Sequence, residues 1–268
     1  MIPRHFPRMV AAELRVVFGR ASGRLALALA FLVGLVAVGL MYAAHEYGSN
    51  AQANGTPVSS LVSYSATECA SWALRGRNFF VLPLVLLLCG ASALGGELGD
   101  HTARELLVRP VSRASVVLAK LTALVMLSLA TLGITFLPAL AGGGLFFGFT
   151  PDLLPPLLLG YLASWGRDFG LLSLAFLCST FFPSVGTSVV VVALFLMADL
   201  GARLLLKLAG MMGMASAETI AQFLPGAALD AWEHWETGWE WQPLVALLVL
   251  TVVAVGATIA RVDRMDVA

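Results

Sequence analysis

Six runs of apolar residues separated by polar stretches set the pattern of this chain. They cover residues 25–43, 79–96, 116–137, 164–182, 185–206 and 243–260, each close to the ~20 residues a helix needs to cross a bilayer. The pattern predicts an all-α membrane protein of six transmembrane helices, forming a single domain over residues 1–268. Residues 1–24 differ in character. Val10, Leu14, Val17 and Phe18 recur at helical spacing with Arg15 and Arg20 between them, as in a helix lying at the membrane interface. The same basic residues also suit a plain positive flank that orients the first run. Flank and apolar core are both long for a cleaved signal, so a retained anchor is expected.

The polar segments predict the connections. Residues 45–78 are rich in Ser, Asn and Gly and read as an outer loop, with a short helix over 61–74. The Gly- and Pro-rich stretch 138–156 reads as an outer turn. Residues 207–242 form a second long outer segment, in which Trp232, Trp235, Trp239 and Trp241 suggest an interfacial aromatic belt. That belt would serve as an anchor or as a surface touching substrate. Residues 97–115, between the second and third runs, are the most basic connection. There Arg104 and Glu105 stand beside Leu106 and Leu107 in a short amphipathic helix, which Pro110 ends by disfavouring helical geometry at Arg109. A new helix follows.

Charge distribution supplies an orientation. Of the 16 Lys and Arg residues, only Arg75, Arg77, Arg167, Arg203 and Lys207 fall in the expected outer segments or outer span ends. The rest lie at the other side, which puts both termini in the cytoplasm. Within the runs, Arg167 and Asp168 are expected at the outer end of a fourth span beginning near residue 164. Asp199 and Arg203 share one helix face at i and i+4. These four intramembrane charges serve either as structural ion pairs or as the lining of an outer vestibule.

Composition agrees with a lipid environment: the chain is 12% charged, against about 25% for a soluble domain. The formal net charge of zero gives no reason to expect a nucleic-acid partner. Cys69, Cys89 and Cys178 are scattered and odd in number, which suits neither a disulfide framework nor a metal site. His5, His45, His101 and His234 are isolated. The chain has no phosphate-loop motif, no H-E-x-x-H pair and no G-x-S-x-G elbow. No catalytic residue, bound cofactor or metal is expected, and the chain is not expected to be an enzyme by itself.

Several segments together resemble the permease subunits of type 2 ABC transporters. Glu13, Leu14, Arg15, Arg20 and Arg24 match that family's N-terminal interfacial helix. The more specific match is the connection after the second run: Glu97, Gly99, Leu106, Leu107, Pro110-Val111-Ser112-Arg113 and Lys120. The family often has Gly-Thr at the start of that helix, whereas this chain has Gly99 followed by Asp100, His101 and Thr102. Leu224-Pro225 before the last run also fits. Arg167 opening the fourth run and Asp199 late in the fifth are similar to the compact permease of the nitrous-oxide-reductase maturation transporter.

The resemblance implies a bacterial inner-membrane permease that forms a homodimer, or pairs with a related permease. Two separate ATP-binding cassette subunits would bind ATP and Mg, and accessory subunits would be possible further partners. Residues 97–113 would be the coupling helix, with Glu97, Gly99, Arg104, Glu105, Leu106, Leu107, Pro110, Arg113 and Lys120 carrying the coupling to ATP hydrolysis. The implied activity is ATP-driven export of a substrate that the sequence does not identify. Two other readings stay open: a secondary transporter or channel that needs no ATPase, and an accessory membrane subunit that moves nothing.

Overall fold

The computed structural model describes residues 5–53, 64–79, 81–99, 112–182, 184–234 and 241–265. All regular structure among the described residues is helical. In chain order the helices are α1 (Phe6–Gly19), α2 (Ala21–Ala53), α3 (Ala66–Asn78), α4 (Val81–Gly99), α5 (Arg113–Phe147), α6 (Leu154–Ser179), α7 (Val185–Met211), α8 (Ala215–Gln222), α9 (Pro225–Asp230) and α10 (Trp241–Asp263). Single 3-10 turns at Pro151–Leu153 and Ala231–His234 link α5 to α6 and extend α9.

Two of the helices begin where a side chain replaces a missing backbone partner. The Ser65 hydroxyl accepts from the Glu68 N–H at 3.1 Å and opens α3. The Ser112 hydroxyl accepts from the Ser115 N–H at 3.3 Å and opens α5. Arg20 is extended, with φ −66° and ψ 148°, and this one residue turns the chain from α1 into α2.

Several boundaries differ from those expected. α2 and α5 have 33 and 35 residues, or about 50 Å each at 1.5 Å per residue, well beyond a ~30 Å hydrocarbon core. α5 runs straight through Pro138 and the Gly142–Gly144 stretch, where a turn was expected. Proline costs a helix one hydrogen bond, but tertiary packing decides whether the helix survives. Here Pro138 lies against Gly34 of α2, where an added Cβ would approach the proline ring to 2.9 Å. α3 starts and ends four to five residues later than expected, because Ser65 is its cap and α4 follows almost at once.

α6 begins at Leu154 rather than near residue 164. Asp168 is therefore about 21 Å from its start and about 16 Å from its end, in the middle of the helix rather than at its outer end.

α5 and α6 form the spine of the bundle. α5 packs on α1, α2, α3 and α6, while α6 packs on α4, α7 and α10. One core joins the α1–α2 elbow to α4, α5 and α6 through Val17, Ala30, Leu86, Leu124, Leu127 and Phe176. Another lies under α3, where Ala70, Ala73 and Leu74 meet Leu132, Leu157 and Tyr161.

α3 fits against α5 only because residue 143 has no side chain. A Cβ there would sit 2.8 Å from the Cα of Ala66 and 2.9 Å from the Cys69 sulfur. Gly143→Val is expected to cost about 1–3 kcal/mol by overpacking. Thermal denaturation in detergent checks this: a midpoint equal to wild type would show that α3 is not wedged there.

The two ends of the bundle are distinguished by contacts. At the end bearing the termini, Arg113 donates to the carbonyls of Val262, Asp263 and Met265, at 3.0, 3.1 and 2.7 Å. At the same end Arg261 stands 5.3 Å from the ring centre of Phe181, just past α6. Thus α6 returns along the bundle from α5's far end to the terminus-bearing end. By length and composition, five helices are suited to crossing a membrane: residues 21–48, 81–98, 113–147, 185–211 and 242–263. α6 is not among them. At 26 residues it falls within the length range of the others, but it carries Arg167, Asp168 and several small polar residues, and its charged middle is buried against its neighbours.

Candidate functional site

Three ionic centres and one polar chamber gather most of the polar chemistry described inside this apolar bundle. The first lies at the terminus-bearing end. Lys120 of α5 is 2% exposed, and its ammonium donates to Glu13 of α1 at 3.0 Å and to Glu97 of α4 at 2.6 Å. Arg20 completes the knot, 3.5 Å from the Glu97 carboxylate and 3.2 Å from the Ser92 carbonyl. A lysine here is long enough to reach two carboxylates from different helices while its stem stays among apolar neighbours. The sequence named all four residues separately. The structure shows that they are one cluster, tying α1, α4 and α5 together just where α4 ends and α5 begins.

The second centre is fully buried in the middle of α6. Asp168 and Arg77 are each 0% exposed and form a salt bridge through both carboxylate oxygens. Arg77 also donates to the Asn78 side chain and to Thr131, each at 2.8 Å, and to Ser164 at 3.3 Å. Ser128 donates to Asp168. The pair thus joins α3, α5 and α6. Ser128 and Thr131 lie two and three helical turns past Lys120, about 12–16 Å along α5, so this layer is distinct from the first.

This arrangement corrects two expectations. Arg77 was expected in an outer loop, and Asp168 beside Arg167 near headgroups. Neighbouring residues on a helix point about 100° apart, so Arg167 and Asp168 cannot face a common partner. Arg167 instead donates to the Asn78 carbonyl at 3.1 Å and lies 5.9 Å from the ring centre of Trp232. The signal that was available is a lone acid at the centre of an apolar run. Such a group requires a cation, and Arg77, next to the start of an apolar run, could supply it.

The third centre follows the expected i, i+4 geometry. Arg203 donates to Asp199 at 2.9 Å, and its other end reaches Asp230 of α9 at 2.7 Å. Asp230 is the member that sequence spacing could not supply. Gly226, one residue past Pro225, lies so close that a Cβ would collide with the Asp199 carboxylate and the Arg203 guanidinium. The Leu224-Pro225 step therefore places α9 directly over the pair.

Between the second and third centres is a polar chamber of about 490 Å³, lined by Arg75, Asn78, Arg167, Asp230, Trp232 and Glu233. It adjoins an apolar groove of about 320 Å³ walled by Leu84, Leu87, Leu171, Leu196 and Met197, and Phe79, Arg167 and Asp230 line both. Trp232 is 6% exposed and packed beneath Arg167, not displayed at the surface as an aromatic belt requires. Trp235 and Trp239 lie outside the described residues, and Trp241 opens α10.

Of the other residues singled out by sequence, Arg104, Glu105, Leu106, Leu107 and Pro110 also lie outside the described residues. Gly99 ends α4. Arg113 is engaged with the α10 carbonyls, where a cation complements the negative end of the helix. Among the described residues no group of three or more His, Cys, Asp or Glu is placed to hold a metal ion.

Residues 23–200, about two thirds of the chain, match a family model described as ABC-2 family transporter protein. No curated protein matches the chain.

Proposed function

The chain belongs to the ABC-2 family of transporter proteins, and from that premise we propose that it is the permease subunit of an ATP-driven exporter. It is a multi-pass membrane protein of a family whose members are non-catalytic membrane subunits working with ATP-binding cassette subunits. In the proposed complex two ATPase subunits bind ATP and Mg, and two permease copies, or this chain and a related permease, form the path through the inner membrane. α6 is the sixth crossing: it has 26 residues, about 39 Å, longer than a ~30 Å hydrocarbon core requires. Both termini then face the cytoplasm, with the Glu13–Lys120–Glu97 knot on that side. The narrower likeness to the nitrous-oxide-reductase maturation permease rests on Asp199 alone, since Arg167 stands in the middle of α6 rather than opening a span.

The observation that carries the coupling role is the knot itself. Residues 100–112 join the end of α4 to the start of α5, and both helix ends are clamped. Lys120 binds α5 to Glu97 of α4 and Glu13 of α1, and Arg113 binds α5 to α10. A push on the connecting segment therefore moves α1, α4, α5 and α10 as a body. The partner ATPase closes on ATP and opens after hydrolysis, and a segment seated in its surface passes that stroke to the clamped helices. Leu106 and Leu107 supply the apolar contact, with Arg104 and Glu105 at the rim.

The test is Leu106→Asp. Placing a carboxylate in an apolar contact should cost at least about 2 kcal/mol of binding, or some thirtyfold in affinity for the ATPase subunit. Pull-down of the ATPase with the variant, together with ATP-dependent transport in proteoliposomes, reads the outcome. Undiminished binding and undiminished transport would overturn the coupling assignment. Solute movement by the isolated chain without any ATPase would instead favour a secondary transporter.

A further inference from the structure

We propose that the chamber beside Trp232 and the groove that adjoins it are a binding site for one zwitterionic phospholipid, of the phosphatidylethanolamine type. The chamber has the charge balance of such a headgroup. It presents two guanidinium groups, Arg75 and Arg167, and two carboxylates, Glu233 and Asp230, the latter already paired with Arg203; with that arginine and Asp199 of the adjoining groove the charges still balance at three of each sign. A phosphate meets the first pair and an ammonium the second. A purely anionic headgroup would have to lie against both carboxylates, at a cost that grows as water is excluded.

The wall of the chamber also holds two N–H groups with no acceptor among the described residues: the indole N–H of Trp232 and the Nε–H of Arg167. A buried donor without an acceptor is costly. Both belong to side chains lining the same space, and phosphate oxygens are acceptors of the right chemistry for both.

The groove gives the reason to choose a lipid over a free zwitterion. It leads from the shared wall at Phe79, Arg167 and Asp230 between α4, α6 and α7; six leucines and Met197 line its apolar length, while the paired Asp199 and Arg203 lie at the chamber side with Asp230. On its outer rim Met197 and Leu200 are 64% and 43% exposed, on α7, a helix with few buried residues. An acyl chain can therefore enter the groove sideways from the bilayer while its headgroup sits in the chamber. The binding of lipid requires only the fold and does not depend on the exporter reading: a chain that binds this lipid yet engages no ATPase would sink the proposed function and leave the site standing.

The experiment uses the full chain, purified in detergent and stripped of lipid, with native mass spectrometry as the readout. The probes are dioleoyl phosphatidylethanolamine, dioleoyl phosphatidylglycerol and soluble O-phosphoethanolamine. One phosphatidylethanolamine is expected to bind, with about tenfold preference over phosphatidylglycerol. Trp232→Phe keeps the ring and removes the donor, and should weaken binding about tenfold. Leu196→Trp fills the groove and should abolish binding of the lipid. Circular dichroism confirms that both variants keep their helices, and if one does not, the other carries the test. Equal retention of phosphatidylglycerol overturns the proposal, as does wild-type binding by the folded variants. If O-phosphoethanolamine binds as tightly as the lipid, the ligand is a free zwitterion and the lipid assignment falls.

Discussion

Arg77→Met is expected to destabilise the protein by about 3–5 kcal/mol, the largest effect of any single substitution considered for this bundle. The methionine fills much of the same volume, so the loss is electrostatic. The Asp168 carboxyl would remain at 0% exposure, held among the described residues by the Ser128 hydroxyl in place of the guanidinium. Asp168→Leu should cost a similar amount by stranding Arg77. The double variant, Arg77→Met with Asp168→Leu, should recover most of the loss, because a buried ion pair replaced as a unit is often neutral or stabilising. Arg77→Lys should fall between, since a lysine keeps the charge but not the fork that reaches Asp168, Thr131 and Ser164 together. Unfolding in mixed micelles measures all four. A single variant as stable as wild type would show that the pair does not hold α3 in the bundle.

Lys120→Met should have the second largest effect, and its consequences extend to function. It leaves Glu13 and Glu97 facing one another without the cation between them. Their side chains are 17% and 14% exposed, so water relieves part of the repulsion, and a loss of about 2–3 kcal/mol is expected rather than the full cost of a buried pair. Neutralising both acids as well, with Glu13→Gln and Glu97→Gln, should restore stability. It should not restore ATP-driven transport, because the charged clamp between α1, α4 and α5 is still absent. Comparing micellar unfolding with transport in proteoliposomes separates the two effects. Full transport by the stabilised triple variant would show that the clamp plays no part in coupling.

The two centres differ in how far local sequence betrays them. Glu97 borders the second apolar run, Lys120 lies just inside the third and Glu13 sits in the flank before the first, all on the side richer in basic residues, so their general location follows from charge counting. Asp199 and Arg203 declare themselves by an i, i+4 spacing that any α-helix converts into contact. Arg77 and Asp168 stand 91 positions apart, in segments of different character, and no periodicity links them. The same holds for Asp230, which reaches Arg203 only because α9 folds back over α7.

By itself the amino-acid sequence determined that the chain is helical and lives in lipid, because a bilayer demands long apolar runs whose backbone is satisfied internally. It also marked five long apolar helices suited to crossing a membrane and the likeness to the ABC-2 family, since both depend on short-range pattern. Only the tertiary structure decided that α5 continues through Pro138, that α6 begins ten residues early, and that Trp232 is buried beneath Arg167 rather than displayed in a belt. Two of these outcomes involve a neighbour distant in sequence, Gly34 opposite the proline and Arg167 over the indole, and the longer α6 sets Asp168 where it meets Arg77. Low-dielectric surroundings make the partner of a buried charge obligatory but leave its identity to packing.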